Sequence, residues 1–181
     1  MNNLFKSKNV TDAELESCEY GNCKQFIPDV TRGKIVKCYD GDTVTIATIM
    51  DGMRVRFNIR MSGYDCAEIR SKDPQEKKVA QWAKEYITNM IYGKIVNVSK
   101  NDGTDKYGRL LLELEYNGQN INKIMLEKWG VSYFGGHKND IDWNMWDENG
   151  KKFGLGKGLT IFIDDIKKFN TNTNKNIKVF I

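Results

Sequence analysis

The chain has 181 residues, 40% of them hydrophobic and 29% charged, which is the usage of an ordinary globular protein with one substantial core and extensions. The formal charge is +4, and residues 1–30 hold three lysines against five acids, so the body of the chain carries the whole positive surplus and suits a polyanionic partner. Four cysteines (Cys18, Cys23, Cys38, Cys66) match no zinc spacing, and the single His137 cannot complete a histidine-containing set, so free thiols in a reducing compartment are expected. The first residues lack the apolar run of a signal peptide and no stretch reaches transmembrane length, so a soluble, intracellular (cytoplasmic) protein without a membrane partner is expected unless the sequence is an already processed one.

Residues 1–30 are polar and end near Pro28; they read as an extension in which Thr11-Asp12-Ala13-Glu14 has the form of a capping box for a short helix. Residues 34–38 form the first predicted strand. Asp40-Gly41 is a turn or bulge signal, and residues 43–50, rich in Val, Ile and Thr, form the second strand. Asp51-Gly52 is a hairpin turn. The third strand alternates cleanly, with Met53, Val55, Phe57, Ile59 and Met61 on one face and Arg54, Arg56, Asn58 and Arg60 on the other.

Asp73-Pro74-Gln75-Glu76 opens a helix, with Asp73 as cap, Pro74 in the first turn and Glu76 able to complete a capping box. Val79, Trp82, Ala83, Tyr86, Ile87 and Met90 follow at helical spacing, and Gly93 ends the run. Strands are predicted over 94–99 and 109–116, the latter closed by Asn117-Gly118, and a second helix over 121–129, closed by Gly130. Three strands, helix, two strands, helix fit an α+β fold dominated by β, a five-stranded OB-type barrel with two to three packed helices; an open α+β sheet is the alternative. The barrel domain is assigned to residues 31–136. Residues 137–181 read as a C-terminal extension: 159–169 as a third helix or a strand followed by a helix, and the Asn-rich 170–176 as a flexible linker.

The chemistry concentrates in three strings. Asp40-Gly41-Asp42-Thr43 and Arg60 through Glu68 supply carboxylates and an arginine from opposite ends of one predicted hairpin, and Asp105-Lys106-Tyr107-Gly108-Arg109 supplies a second arginine. Asp42 begins the second strand and Asp65 follows the end of the third, so the hairpin makes them neighbours. Two such carboxylates repel unless a cation lies between them, and oxygen ligands favour a hard ion such as calcium. Arg60 and Arg109 suit a bidentate grip on phosphate. Glu68 is the candidate base. Lys106 and Tyr107 are placed to meet a neighbouring phosphate or a base face. Taken singly, each residue has a plainer reading: turn aspartates, an exposed strand arginine, a surface glutamate. The joint reading is metal-assisted chemistry on a phosphate diester. Trp82, Trp129, Trp143 and Trp146 are read as packing residues, and His137 as a surface residue.

Those strings, in that order and with Glu76-Lys77-Lys78-Val79-Ala80 and the segment from Ile121-Asn122 to Gly130, resemble the thermonuclease (staphylococcal nuclease-like) family over roughly residues 31–136. The resemblance implies an OB-fold barrel and a calcium-dependent phosphodiesterase on DNA and RNA that leaves 3′-phosphate ends, with single strands favoured. It implies calcium held by Asp42, Asp65 and the backbone carbonyl of Cys66, catalysis by Arg60, Glu68 and Arg109, and supporting or substrate-contacting roles for Asp40, Thr43, Lys106 and Tyr107. A monomer with no obligate protein partner is expected. Where the family usually has a proline before the glutamate, this chain has Cys66-Ala67, and the tyrosines that usually line the nucleotide pocket have at most Tyr133 as a substitute. The competing readings are a non-catalytic single-strand-binding OB module, which would bind salt-dependently and ignore calcium, and a protein-interaction barrel of the tudor-associated kind, for which the chain shows no aromatic cage.

Overall fold

A computed structural model describes residues 9–132 and 141–152. Its centre is a sheet in which β1 (Arg32–Cys38), β2 (Thr43–Met50) and β3 (Met53–Met61) form an antiparallel meander. β5 (Ile95–Thr104) adds to the free edge of β1, and β6 (Leu110–Tyr116) pairs with β5. β6 then returns to β3 in parallel register, Ile59 opposite Leu110 and Met61 opposite Leu112, which closes a five-stranded barrel of the OB type. Short strands decorate it: β4 (Tyr64–Asp65) pairs with β8 (Val131–Ser132), and β7 (Gln119–Asn120) extends the sheet beyond β6.

The alternation of β3 sets the barrel wall. Ile59 and Met61 are fully buried, Arg54, Arg56 and Asn58 are exposed, and Arg60 between them is half-buried. Ile35, Ile46, Val96, Leu112 and Leu114 complete the interior. Helix α2 (Pro74–Ile91) lays Val79, Ala80, Ala83, Ile87 and Ile91 onto this core at helical spacing. Asp73 caps it, accepting the backbone N–H groups of Gln75 (2.8 Å) and Glu76 (3.4 Å). The expected capping box does not form, because the Glu76 carboxylate is engaged elsewhere: it accepts the Glu68 N–H at 3.0 Å and the Ser71 hydroxyl.

Helix α3 (Ile121–Lys128) leads into Trp129, which is fully buried with its ring 6.5 Å from Trp82 and 6.1 Å from Tyr86. Asn122 is the buried polar residue of this helix, and its amide is fully used. Its Oδ1 accepts from the Leu114 N–H at 3.0 Å, and its Nδ2 donates to the carbonyls of Ser62 and Leu112 at 2.9 Å each. One side chain thereby ties α3 to the end of β3 and to β6.

The N-terminal segment forms α1 (Asp12–Glu16), whose Thr11–Glu14 capping box is present as the sequence predicts. It has no buried residues, whereas Val30 belongs to the core and the Asn101 amide donates to the Pro28 carbonyl at 3.4 Å. Cys18 and Cys23 are free and exposed; Cys38 and Cys66 are free and buried. In residues 141–152, Trp143 and Trp146 pack against each other at 5.2 Å and join the core. The sequence-predicted element at 159–169, the linker at 170–176, Tyr133 and His137 lie outside the described residues. Among the described residues no helix is long and apolar enough to cross a membrane.

Candidate active site

The tight turn over residues 39–43 aims the first acidic string. The Tyr39 and Asp40 N–H groups both donate to the Thr43 carbonyl, at 2.8 and 3.4 Å, and the Asp42 N–H meets Asp40 Oδ1 at 3.4 Å. Gly41 is required by close approach: a Cβ there would lie 2.7 Å from Cys66 Sγ and 2.9 Å from Ala83 Cβ. Its carbonyl accepts from the Tyr64 hydroxyl at 2.9 Å. The turn is therefore wedged between the strand that carries Asp65 and the helix behind it.

Thr43 pairs with Arg60 across β2 and β3, which puts Asp42 beside the end of β3. The Arg60 guanidinium lies between two carboxylates, paired through Nη1 with Asp42 and through Nη2 with Asp65. Asp42 is held further: Oδ2 accepts the Cys66 N–H and Oδ1 accepts the Thr43 hydroxyl, both at 2.9 Å. The same Thr43 hydroxyl accepts from Arg109 Nη1 at 3.2 Å. Thr43 is thus the link between the acidic turn and the second arginine.

Arg109 owes its direction to Asp105. Asp105 Oδ1 accepts the backbone N–H groups of Tyr107 and Arg109 at 2.9 Å each, and its Oδ2 accepts Arg109 Nε at 2.7 Å. Gly108, at φ +76°, lets the chain reverse within this loop. Burial acts to raise the Asp105 pKa, but the hydrogen bonds from Arg109 and Tyr107 outweigh it and hold the carboxyl below its ordinary value. Tyr107 is 73% exposed, with Lys106 Nζ 5.1 Å and the Arg109 guanidinium 5.6 Å from its ring centre. The motif alone assigns Asp105 no role; the sequence signal for this one is an aspartate three residues before a glycine, the pattern of an Asx turn.

Glu68 is half-buried on the loop between β4 and α2, which Glu76 holds through the Glu68 N–H. It lines an open groove of about 380 Å³ together with Tyr39, Asp40, Thr43, Arg70 and Arg109. Glu76, which the sequence offers as a capping residue, instead steadies the loop that carries Glu68.

The side chains of five of the six residues singled out for metal and catalytic roles lie near one another, and the sixth, Cys66, donates its N–H to Asp42. Asp42, Asp65 and Arg60 are in direct contact, Thr43 joins Asp42 to Arg109, and Glu68 faces the groove that Thr43 and Arg109 line. The Cys66 side chain is buried, and burial pushes its thiol well above the ordinary range, so it is a neutral packing group here. Lys106 and Tyr107 stand at the rim beside Arg109.

Asp40 is pushed up to about 7, first by burial and then by Asp42 and Glu68. Arg60 sits against Asp42 and Asp65, and Arg109 is engaged by Asp105. Among the described residues no three acidic, cysteine or histidine side chains already converge in ligand geometry. The carboxylates around Arg60 offer only hard oxygen donors, the chemistry that suits a hard divalent ion.

Comparison with known proteins adds a family. Residues 58–140 match the family described as staphylococcal nuclease homologue. That stretch includes Arg60, Asp65, Glu68 and Arg109, while the turn of Asp40 to Thr43 precedes it and is joined to it by the β2–β3 pairing. The chain is also 27% identical over 123 residues to a protein of Haemophilus influenzae (strain ATCC 51907 / DSM 11121 / KW20 / Rd) named an uncharacterized endonuclease. The match covers 68% of this chain and 64% of that protein, so the chain spans less than two thirds of its relative's length.

Proposed function

We propose, from the match of residues 58–140 to the staphylococcal nuclease homologue family, that the chain is a calcium-dependent phosphodiesterase that hydrolyses DNA and RNA, prefers single strands and leaves 3′-phosphate ends. The observation that carries the reading is the Thr43 hydroxyl, hydrogen-bonded at once to Asp42 and Arg109 beside Glu68. It links the acidic turn to the arginine loop at the edge of the groove that Glu68 lines.

Asp42, Asp65 and the Cys66 carbonyl would hold the calcium ion, which when bound supplies charge neutralisation and positioning of the phosphate. Arg109, aimed by Asp105, grips two phosphate oxygens with a planar fork and stabilises charge that grows on them during attack. Arg60 would serve the same phosphate; its partners in the structure are Asp42 and Asp65, the carboxylates that would hold the cation. Glu68 accepts a proton from the attacking water, and the 5′-oxygen departs in line. The exposed Tyr107 face favours unstacked bases, which supports the preference for single strands.

The test is incubation of single-stranded DNA and of RNA with the pure protein, in calcium or in a calcium chelator. Cleavage of both polymers in calcium, and neither in chelator, is the expected result. Binding without cleavage in both conditions would replace the enzyme with the non-catalytic single-strand module.

A further inference from the structure

Among the described residues, Tyr107 is one of two tyrosines with two cationic side chains over the ring. The other is Tyr39, the residue that opens the acidic turn. Its ring has the Arg70 guanidinium 5.7 Å from its centre and Lys37 Nζ at 5.9 Å. Lys37 and Arg70 are exposed and Tyr39 is half-buried, so the cations are accessible while the ring is anchored. All three line the same groove as Asp40, Thr43 and Arg109. The anchoring is built in: the Tyr39 N–H donates to the Thr43 carbonyl at 2.8 Å, and Arg70 follows Glu68 by two residues on the loop that Glu76 holds.

This arrangement is not needed to hold the barrel together, because Lys37 and Arg70 project from different elements and have no carboxylate partner among the ion pairs of the described residues. It has the two components of a nucleotide contact. An aromatic face accepts a base by stacking without regard to sequence, and the two cations that lie over the Tyr39 ring swing from it onto the adjoining phosphates as the base enters. Tyr107 with Lys106 and Arg109 repeats the same composition on the other arginine loop.

We propose that Tyr39, Lys37 and Arg70 form a second nucleotide subsite, which stacks one base of a single-stranded DNA or RNA and grips its adjoining phosphates next to the reaction centre. The inference rests on the nucleic-acid reading of the groove, but it concerns binding and not hydrolysis. The enzyme then engages its substrate at two stacked bases, and longer oligonucleotides gain affinity that a single nucleotide does not.

Binding of a fluorescent decathymidylate to the full chain is measured by anisotropy in chelator, and compared with an abasic sugar-phosphate chain of equal length. Tyr39→Leu, which keeps apolar bulk, is expected to weaken decathymidylate about 5- to 100-fold, the range for one lost base stack, and to leave abasic-chain binding unchanged. Tyr39→Phe retains wild-type affinity. Arg70→Gln flattens the salt dependence of both chains by about one phosphate contact. Equal affinity of wild type and Tyr39→Leu for decathymidylate, an equal loss for both polymers, or no binding by the wild type overturns the subsite. A Tyr39→Leu chain that unfolds leaves Tyr39→Phe and Arg70→Gln to decide, since loss of affinity in the first or an unchanged salt slope in the second also overturns it. Cleavage of the same oligonucleotide in calcium is scored separately, so failure of the subsite and failure of the hydrolytic reading give different patterns.

Discussion

Asp105 holds Arg109 at two points, accepting its backbone N–H at 2.9 Å with one carboxylate oxygen and its side-chain Nε at 2.7 Å with the other. The guanidinium is left with its Nη1 on Thr43, and its fork is directed across the groove. Asp105→Asn keeps an acceptor for the backbone and removes the charge that orients the side chain. Cleavage is expected to fall about tenfold to a hundredfold through misplacement of Arg109, with KM and kcat both affected. The stability effect has a definite sign with pH. The Asp105 carboxyl is depressed below its ordinary 3.8, so its contribution is present above that pH and disappears as pH falls through the lower folded value. Melting temperatures of wild type and Asp105→Asn should differ by a constant amount near neutrality and converge below 3.8.

Gly41→Ala forces a methyl group to within 2.7 Å of Cys66 Sγ and 2.9 Å of Ala83 Cβ. Overpacking of this kind costs about 1–3 kcal/mol. Because the turn carries Asp40, Asp42 and Thr43, cleavage should fall more steeply than stability. Chemical denaturation of the variant, with Gly41→Ala/Cys66→Ala as partner, measures the contact: removing the sulfur should recover part of the loss.

Asn122→Leu leaves the Leu114 N–H and the Ser62 and Leu112 carbonyls without their side-chain partner in the interior. A loss of about 3 kcal/mol or more is expected from unmet buried polar groups. The end of β3 and its Arg60 should loosen together with α3, which hydrogen exchange at Met61 and Ser62 would register.

Much of this architecture is legible in the sequence where it depends on local pattern. The alternation from Met53 to Met61 placed Arg60 on the polar face of β3, and Asp51-Gly52 fixed the hairpin that sets Thr43 opposite Arg60. Two-residue strands such as Tyr64–Asp65 and Gln119–Asn120 show no period, so nothing in the chain announces them. The strand read over 94–99 runs on to Thr104 because register shifts after Val98 and after Asn101 interrupt its alternation without ending its pairing with β6. The parallel closure of β3 on β6 joins residues some fifty positions apart, which composition and spacing leave open. In the site, the acids and arginines were legible as motifs. The Glu76 contact was not, because its position at the third residue of a helix looks like a capping box, and only the folded loop shows Ser71 and the Glu68 N–H competing for it.

Calcium should raise the melting temperature of the wild type by linkage, with a free-energy gain of about 2.7 kcal/mol at a hundredfold excess over its dissociation constant. The shift should vanish in Asp42→Asn and shrink in Asp65→Asn, since those carboxylates are assigned to the ion. Differential scanning calorimetry in calcium and in chelator reads this without reference to activity, and a full shift in Asp42→Asn would remove that residue from the metal site.

The central claim is that Glu68 and Arg109 act on one phosphate from one groove. Its most direct measurement is single-turnover cleavage of a single-stranded oligonucleotide in saturating calcium by wild type, Glu68→Gln and Arg109→Ala, with the ends of the fragments identified. The account predicts fragments bearing 3′-phosphates, with rates lowered about 10²- to 10⁴-fold in each variant and the melting transition intact. Equal rates in all three proteins would contradict it.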